Sequence, residues 1–152
     1  MSDFQLEEFA IVGIAVRTSN ENGQAAQDIP ALWDTFLSES IPDKIPNKVD
    51  NVVYSVYTEY EKDHTKPYTT VLGCKVTSLE SVPEGMKGIV IKGGTYQKFI
   101  AKGKLSEGVV YEEWTNIWNT DLPRIYSTDF EVYGEKSQHP EEAEVDIWIA
   151  VN

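Results

Sequence analysis

The chain has one cysteine, Cys74, and two histidines, His64 and His139, among 152 residues. A single thiol forms no intramolecular disulfide, and one Cys with two His gives a transition metal little to build on, so no metal or other cofactor is expected. Nothing near Cys74 in the sequence advertises a base or an electropositive setting, and it reads as a small buried side chain rather than a nucleophile. Long apolar runs are also missing. None approaches the roughly 20 residues needed to span a bilayer, and the opening MSDFQLEEFA lacks the basic start and apolar core of a secretory signal. The expected address is the cytoplasm, with no membrane association.

Basic residues are scarce: 13 Lys and Arg against 25 Asp and Glu, a formal charge of -12. A negative surface repels phosphate backbones, so direct nucleic-acid binding is not expected, whereas cations are attracted over the roughly 8 to 10 Å that salt leaves unscreened. The usual catalytic signatures are absent too. KGGTY (Lys92–Tyr96) lacks the GxxxxGK[ST] spacing of a phosphate loop and is flanked by strand-like residues, which makes its glycines a bulge or a bend. There is no GxSxG and no HExxH.

What is present is a folded, single-domain composition over residues 1–152: 41% apolar, with four Trp and eight Tyr. Periodicity predicts a strand over Phe9–Thr18, a polar loop SNENGQAAQD, and a helix with Ile29, Leu32, Trp33, Phe36 and Leu37 on one face and Pro30 in its first turn. Strands NVVYSVYTEYEKD and KPYTTVLGCKVTS follow. After VPEGMKG the pattern restarts with strand GIVIKGGTYQKFI, loop AKGKLSEG, and a helix carrying Val110, Trp114, Ile117 and Trp118. Strands STDFEVYGEK and EVDIWIAV end the chain.

The order strand, helix, strand, strand thus occurs twice, over about 5–78 and 84–152, and its anchors recur at nearly constant offset: Trp33 and Trp114 on the helices (114 − 33 = 81), Val56-Tyr57 and Val132-Tyr133 (132 − 56 = 76), and Val76 and Val151 closing each half (151 − 76 = 75). One helix over a small sheet makes too little core, so the halves are expected to join into one curved antiparallel sheet carrying two main helices. The expectation is an α+β fold with a ligand cleft between the halves.

Aromatic residues and acids supply the candidate site. Trp33 and Trp114 hold matching places in the halves, while Phe36 and Trp118 read as core. Period-2 alternation sets Glu131 and Tyr133 on one face of their strand and Asp146 and Trp148 on one face of the last; a hairpin between them could bring all four to one surface, with Tyr57 as the first-half counterpart of Tyr133. Tyr96 is counted with them. Rings beside carboxylates suit a lipophilic cation. The same residues also fit a solvated sheet face with cross-strand aromatic pairs, and alternation does not separate the two.

VPEGMKGIVIKGGTYQKF, VVYEEWTNIWNTDLP, DFEVYGEK and EVDIWIAV, in this order and spacing, resemble the GyrI-like domain, also called the AraC-type effector-binding domain, over nearly the whole chain. The resemblance implies a duplicated strand-helix-strand-strand fold that binds small aromatic or lipophilic compounds, often cationic drugs, between its halves. Many members carry an N-terminal helix-turn-helix; this chain is similar to the stand-alone members, some borne on mobile gene cassettes, and a separate DNA-binding regulator is the partner such a module would serve in transcription regulation. The resemblance carries ligand-binding roles to Glu131 and Asp146 on the last two strands. Where many members have Glu and Pro in the final strand, this chain has Asp146 and Ala150, which favours Glu131 as the main counter-ion. Other members imply alternatives: hydrolysis of cyclopropane-containing toxins in the same cleft, or a gyrase-inhibitor-like protein partner.

Overall fold

The computed structural model describes residues 3–62, 65–134 and 140–152, so His64 and His139 lie outside the described residues. Eight strands form a single antiparallel sheet: β1 (Asp3–Leu6), β2 (Phe9–Thr18), β3 (Val53–Thr58), β4 (Tyr68–Val76), β5 (Lys87–Ile91), β6 (Gly94–Gly103), β7 (Thr128–Tyr133) and β8 (Ala143–Ala150). Their order across it is β1-β6-β8-β7-β3-β4-β2-β5. Helix α1 (Gln24–Ser38) follows β2, a short α2 (Ile41–Lys44) follows it, and α3 (Val109–Trp118) follows β6. Among the described residues no helix is long and apolar enough to cross a membrane.

The topology is that of a doubled unit. Strands β2, β3 and β4 of the first half match β6, β7 and β8 of the second, and the halves meet where β3 pairs with β7. Each half also begins with an additional strand, and the two are exchanged: β1 lies beside β6 of the second half, β5 beside β2 of the first. The single strand expected over GIVIKGGTYQKFI is therefore two, broken at Lys92-Gly93. Gly94 follows the break with φ 153°, a conformation that side-chain-bearing residues rarely adopt, and this is the bend the glycine pair provides.

That two-residue link ties a strand at one end of the sheet to one near the other end, so the sheet must curl. Phe9 on β2 and Phe130 on β7 are three strands apart, about 14 Å in a flat sheet, yet their rings meet at 5.6 Å. The curled-in face is filled by Ile11, Val56, Val71, Ile91, Tyr96, Phe130 and Ala150. At the Gly13–Gly73 pair, strands β2 and β4 run so close that a Cβ on Gly13 would stand 1.9 Å from the Leu72 carbonyl oxygen; only glycine fits there.

Both main helices cover the other face. Helix α1 presses Phe36 onto Val12, Leu72 and Cys74, which accounts for the single cysteine as a buried apolar contact. Helix α3 presses Trp114 and Ile117 onto Val145, Ile147 and Ile149. Two details of α1 differ from the sequence reading. It starts at Gln24, inside the expected polar loop, which puts Pro30 in the helix interior, and Leu37 is 67% exposed instead of packed. The α3 face is as expected.

Candidate functional site

Alternation along β7 turns Asp129, Glu131 and Tyr133 toward the helices, and along β3 it turns Ser55 and Tyr57 the same way, because directly paired residues share a face. The β3–β7 register pairs Ser55 with Glu131 and runs symmetrically about them: Val56 faces Phe130, and, shifted by the repeat offset of 76 (132 − 56), Val132 faces Tyr54. The pseudo-twofold axis therefore passes between Ser55 and Glu131. One half contributes a serine at the axis and the other a carboxylate.

Glu131 is 2% exposed. Its Oε2 accepts hydrogen bonds from the Tyr57 hydroxyl at 2.9 Å and the Trp114 indole N–H at 2.5 Å, and its Oε1 accepts one from the Tyr133 hydroxyl at 2.5 Å. Ser55 Oγ donates to the Tyr57 hydroxyl at 3.2 Å and completes the chain. Each half thus lends one tyrosine to the same carboxylate. Burial pushes the Glu131 carboxyl above its ordinary value, and the bonds from Tyr133, Trp114 and Tyr57 pull part of that back. Burial, then the charge of Glu131, holds Tyr57 and Tyr133 well above the normal phenol range, so both stay protonated donors; the same causes push Tyr68 up to about 12. Among the described residues no basic group lies within ion-pair distance of Glu131.

Aromatic walls rise from this floor in the same crossed symmetry. Tyr57 meets Trp114 edge-on at 5.4 Å, and Tyr133 meets Trp33 edge-on at 4.9 Å, each pair joining a strand of one half to the helix of the other. Ala26, Ile29, Pro30 and Trp33 of α1 face Val110, Tyr111, Trp114 and Trp118 of α3 across a cleft of about 420 Å³, within the size range of small-molecule sites. Tyr111, 68% exposed, stands at the rim. The segment 19–28 borders the cleft through Asn20, Gly23, Ala25 and Ala26, whereas no lining residue comes from 101–108 among the described residues.

Beside the cleft a second acid is neutralised within the protein. Asp129, fully buried, accepts from Arg124 Nη2 at 2.7 Å, from the Tyr60 hydroxyl at 2.6 Å and from the Ala150 N–H at 2.9 Å. The last bond takes up a backbone donor where the β7–β8 ladder ends. Arg124 is in turn held over the Tyr126 ring at 4.3 Å. The two buried acids of β7 therefore differ in kind: among the described residues Asp129 has a cation and Glu131 has none.

Of the eight residues singled out from sequence, Trp33, Tyr57, Trp114, Glu131 and Tyr133 come together in this cleft. Asp146, Trp148 and Tyr96 do not, and the shared surface expected for the last two strands is corrected. The register pairs Glu131 with Ile147 and sets Asp146 opposite Val132 and Trp148 opposite Phe130, on the curled-in face. There Trp148 stacks on Phe130 at 6.2 Å, and Asp146 has its own partner in Lys98 at 3.6 Å. Tyr96, 1% exposed, packs on Phe130 and donates its hydroxyl to the Lys92 carbonyl at 2.7 Å. The sequence reading missed Tyr60, Tyr68, Tyr111, Arg124 and Asp129. Asp129 was within reach, since the alternation that places Glu131 and Tyr133 on one face places Asp129 there too.

An α+β domain of two fused halves, with an aromatic cleft on its pseudo-symmetry axis, is the architecture of a small-molecule effector-binding domain. The chain belongs to the family of integron-associated effector binding proteins, whose profile it matches over residues 4–151. It is similar to an integron cassette protein from Vibrio cholerae, at 29% identity and a TM-score of 0.74 over 99% of this chain and 95% of that one. It is also similar to YobU of Bacillus subtilis (strain 168), described as a candidate transcriptional regulator, at 28% identity over 99% of this chain and 96% of the relative. A structure of SAV2435 bound to tetraphenylphosphonium shares the fold, with a TM-score of 0.80 at 16% identity over 99% of this chain and 93% of the other.

Proposed function

We propose that the cleft binds a lipophilic organic cation, with Glu131 as the counter-ion and Trp33, Tyr57, Trp114 and Tyr133 as the walls, and that the protein works as a stand-alone effector-sensing or drug-binding module. The observation that carries this reading is the state of Glu131: a buried carboxylate held by three neutral donors and, among the described residues, by no basic side chain. A buried charge without a counter-charge is costly, and a cation entering the cleft relieves that cost. The aromatic faces add attraction of roughly 0.5 to 2 kcal/mol each through their quadrupoles. Capture of tetraphenylphosphonium by a protein of this fold supports the ligand class.

The test uses two ions of one shape and opposite charge. Tetraphenylphosphonium should quench the fluorescence of the cleft tryptophans saturably, and tetraphenylborate should not bind. Equal binding of both ions would overturn the reading.

A further inference from the structure

The two sides of the cleft mouth are held differently. On the α3 side the wall is anchored by Trp114 and Ile117, both buried in the core. On the α1 side it is made by Asn20, Gly23, Ala25, Ala26, Ile29 and Pro30, and from Glu21 to Pro30 no residue is buried. Phe36, the buried anchor of α1, lies beyond Pro30. Pro30 has no N–H to offer the Ala26 carbonyl, so the first turn is joined to the rest of the helix by one bond fewer. Ahead of that turn, Asn22 and Gly23 follow each other in the left-handed region, at φ 56° and 71°, and no side chain caps the helix.

Two side-chain hydrogen bonds fasten this segment to the sheet. Thr18 Oγ1, at the end of β2, donates to Asp28 Oδ2 at 2.9 Å, and the same oxygen accepts from Gln24 Nε2 at 3.1 Å, which gathers the first turn. The Tyr68 hydroxyl, at the start of β4, donates to Asn20 Oδ1 at 2.6 Å. Tyr68 is also edge-on at 5.9 Å to Tyr57, the tyrosine that donates to Glu131, so the second fastening stands on the cleft floor. A stretch with little buried apolar surface and a gap in its helical ladder opens at lower free energy than the fold around it, and elements that admit ligands are drawn from such stretches.

We infer that residues 19–30 are the lid of the cleft, opening about Pro30 as a hinge when the Thr18–Asp28 and Tyr68–Asn20 bonds release. The inference rests on the cation-binding reading for its probe, tetraphenylphosphonium. Thr18→Val tests it, because the substitution removes the donor to Asp28 without changing charge, and Thr18, 1% exposed, is not one of the residues that line the cleft. The bond belongs to the closed lid whether the cleft is empty or filled, so its loss eases opening equally in both. Stopped-flow tryptophan fluorescence should show association and dissociation each faster by about tenfold, with Kd within about twofold of wild type. Independently of any variant, amide exchange in the wild type should be faster at Asp28 and Ile29 than at residues 32–36 by about tenfold or more. Equal protection along α1, unchanged rates in Thr18→Val, or faster dissociation with unchanged association overturns the lid and leaves the cation reading standing. Failure of the wild type to bind tetraphenylphosphonium overturns the cation reading, and the exchange contrast then decides the lid by itself.

Discussion

Replacing Glu131 with Gln removes one charge and almost no volume, which makes it the sharpest perturbation of the proposed site. At an effective dielectric of about 20, a positive charge about 5 Å from the carboxylate gains roughly 3 kcal/mol. Desolvation of the incoming cation takes back part of that, leaving about 1.4 to 2.7 kcal/mol, a loss of about 10- to 100-fold in affinity on substitution. The ligand-free fold should barely notice, changing by about 1 kcal/mol or less, because ionised Glu131 is already penalised by burial. The tyrosine hydroxyls that donate to it can rotate to meet an amide. The assay is calorimetric titration of tetraphenylphosphonium and of neutral triphenylphosphine oxide into both proteins, with denaturant unfolding as the stability control. The phosphonium should lose its affinity selectively. Equal loss for the neutral compound, or no loss for the cation in a folded variant, would refute the counter-ion reasoning.

Four further outcomes follow from the same geometry. Since the Glu131 pKa is raised in the folded protein, its stability contribution is present below the unfolded value and is lost as pH rises through the folded one; cation affinity runs the other way, falling as pH drops through that raised value, with proton release on binding near it. Tyr133→Phe, which deletes the donor to Oε1, should move that pH midpoint further up, and an unmoved midpoint would show that this bond does not tune the acid. Asp129→Asn leaves Arg124 buried without its partner and should lower unfolding free energy by about 3 to 5 kcal/mol in a denaturant melt; a change under about 1 kcal/mol would mean the pair is not structural. Pro30→Ala should raise stability toward the roughly 3 kcal/mol that an interior proline costs, and no gain in melting temperature would mean that the helix starts at Pro30 in solution.

Much of the architecture was legible because its elements are amphipathic or strongly patterned. Strand β2 fell on Phe9–Thr18 as expected, and the faces of α3 and, Leu37 apart, of α1 followed from helical spacing, as did the doubling from the recurrence of Val-Tyr and Trp. Pairing was legible only in part. Strands β7 and β8 are buried on both sides, by helices on one and by the curled core on the other, so alternation separates two faces without saying which residue of the next strand lies opposite. A one-residue change of register moves Asp146 and Trp148 from one face to the other, and the register the protein uses sends them away from Glu131. Tyr96 was misplaced for a related reason: the break at Lys92-Gly93 resets the context of β6, and its start is packed against Phe130. Arg124, Tyr60 and Tyr68 reach the site only through tertiary contacts that no local pattern announces.

The pairing of Ser55 with Glu131 on the axis has a consequence for how such a site can arise. A homodimer built from one copy of the repeat would set the same residue on both sides of its twofold, giving either two glutamates face to face, which cannot both ionise in a closed space, or two serines and no charge. Only a chain that carries both copies can mutate one and keep the other. Gene fusion in this architecture therefore does more than tether two halves: it permits a monovalent centre in an otherwise symmetric cage. It also gives the cleft two unlike sides.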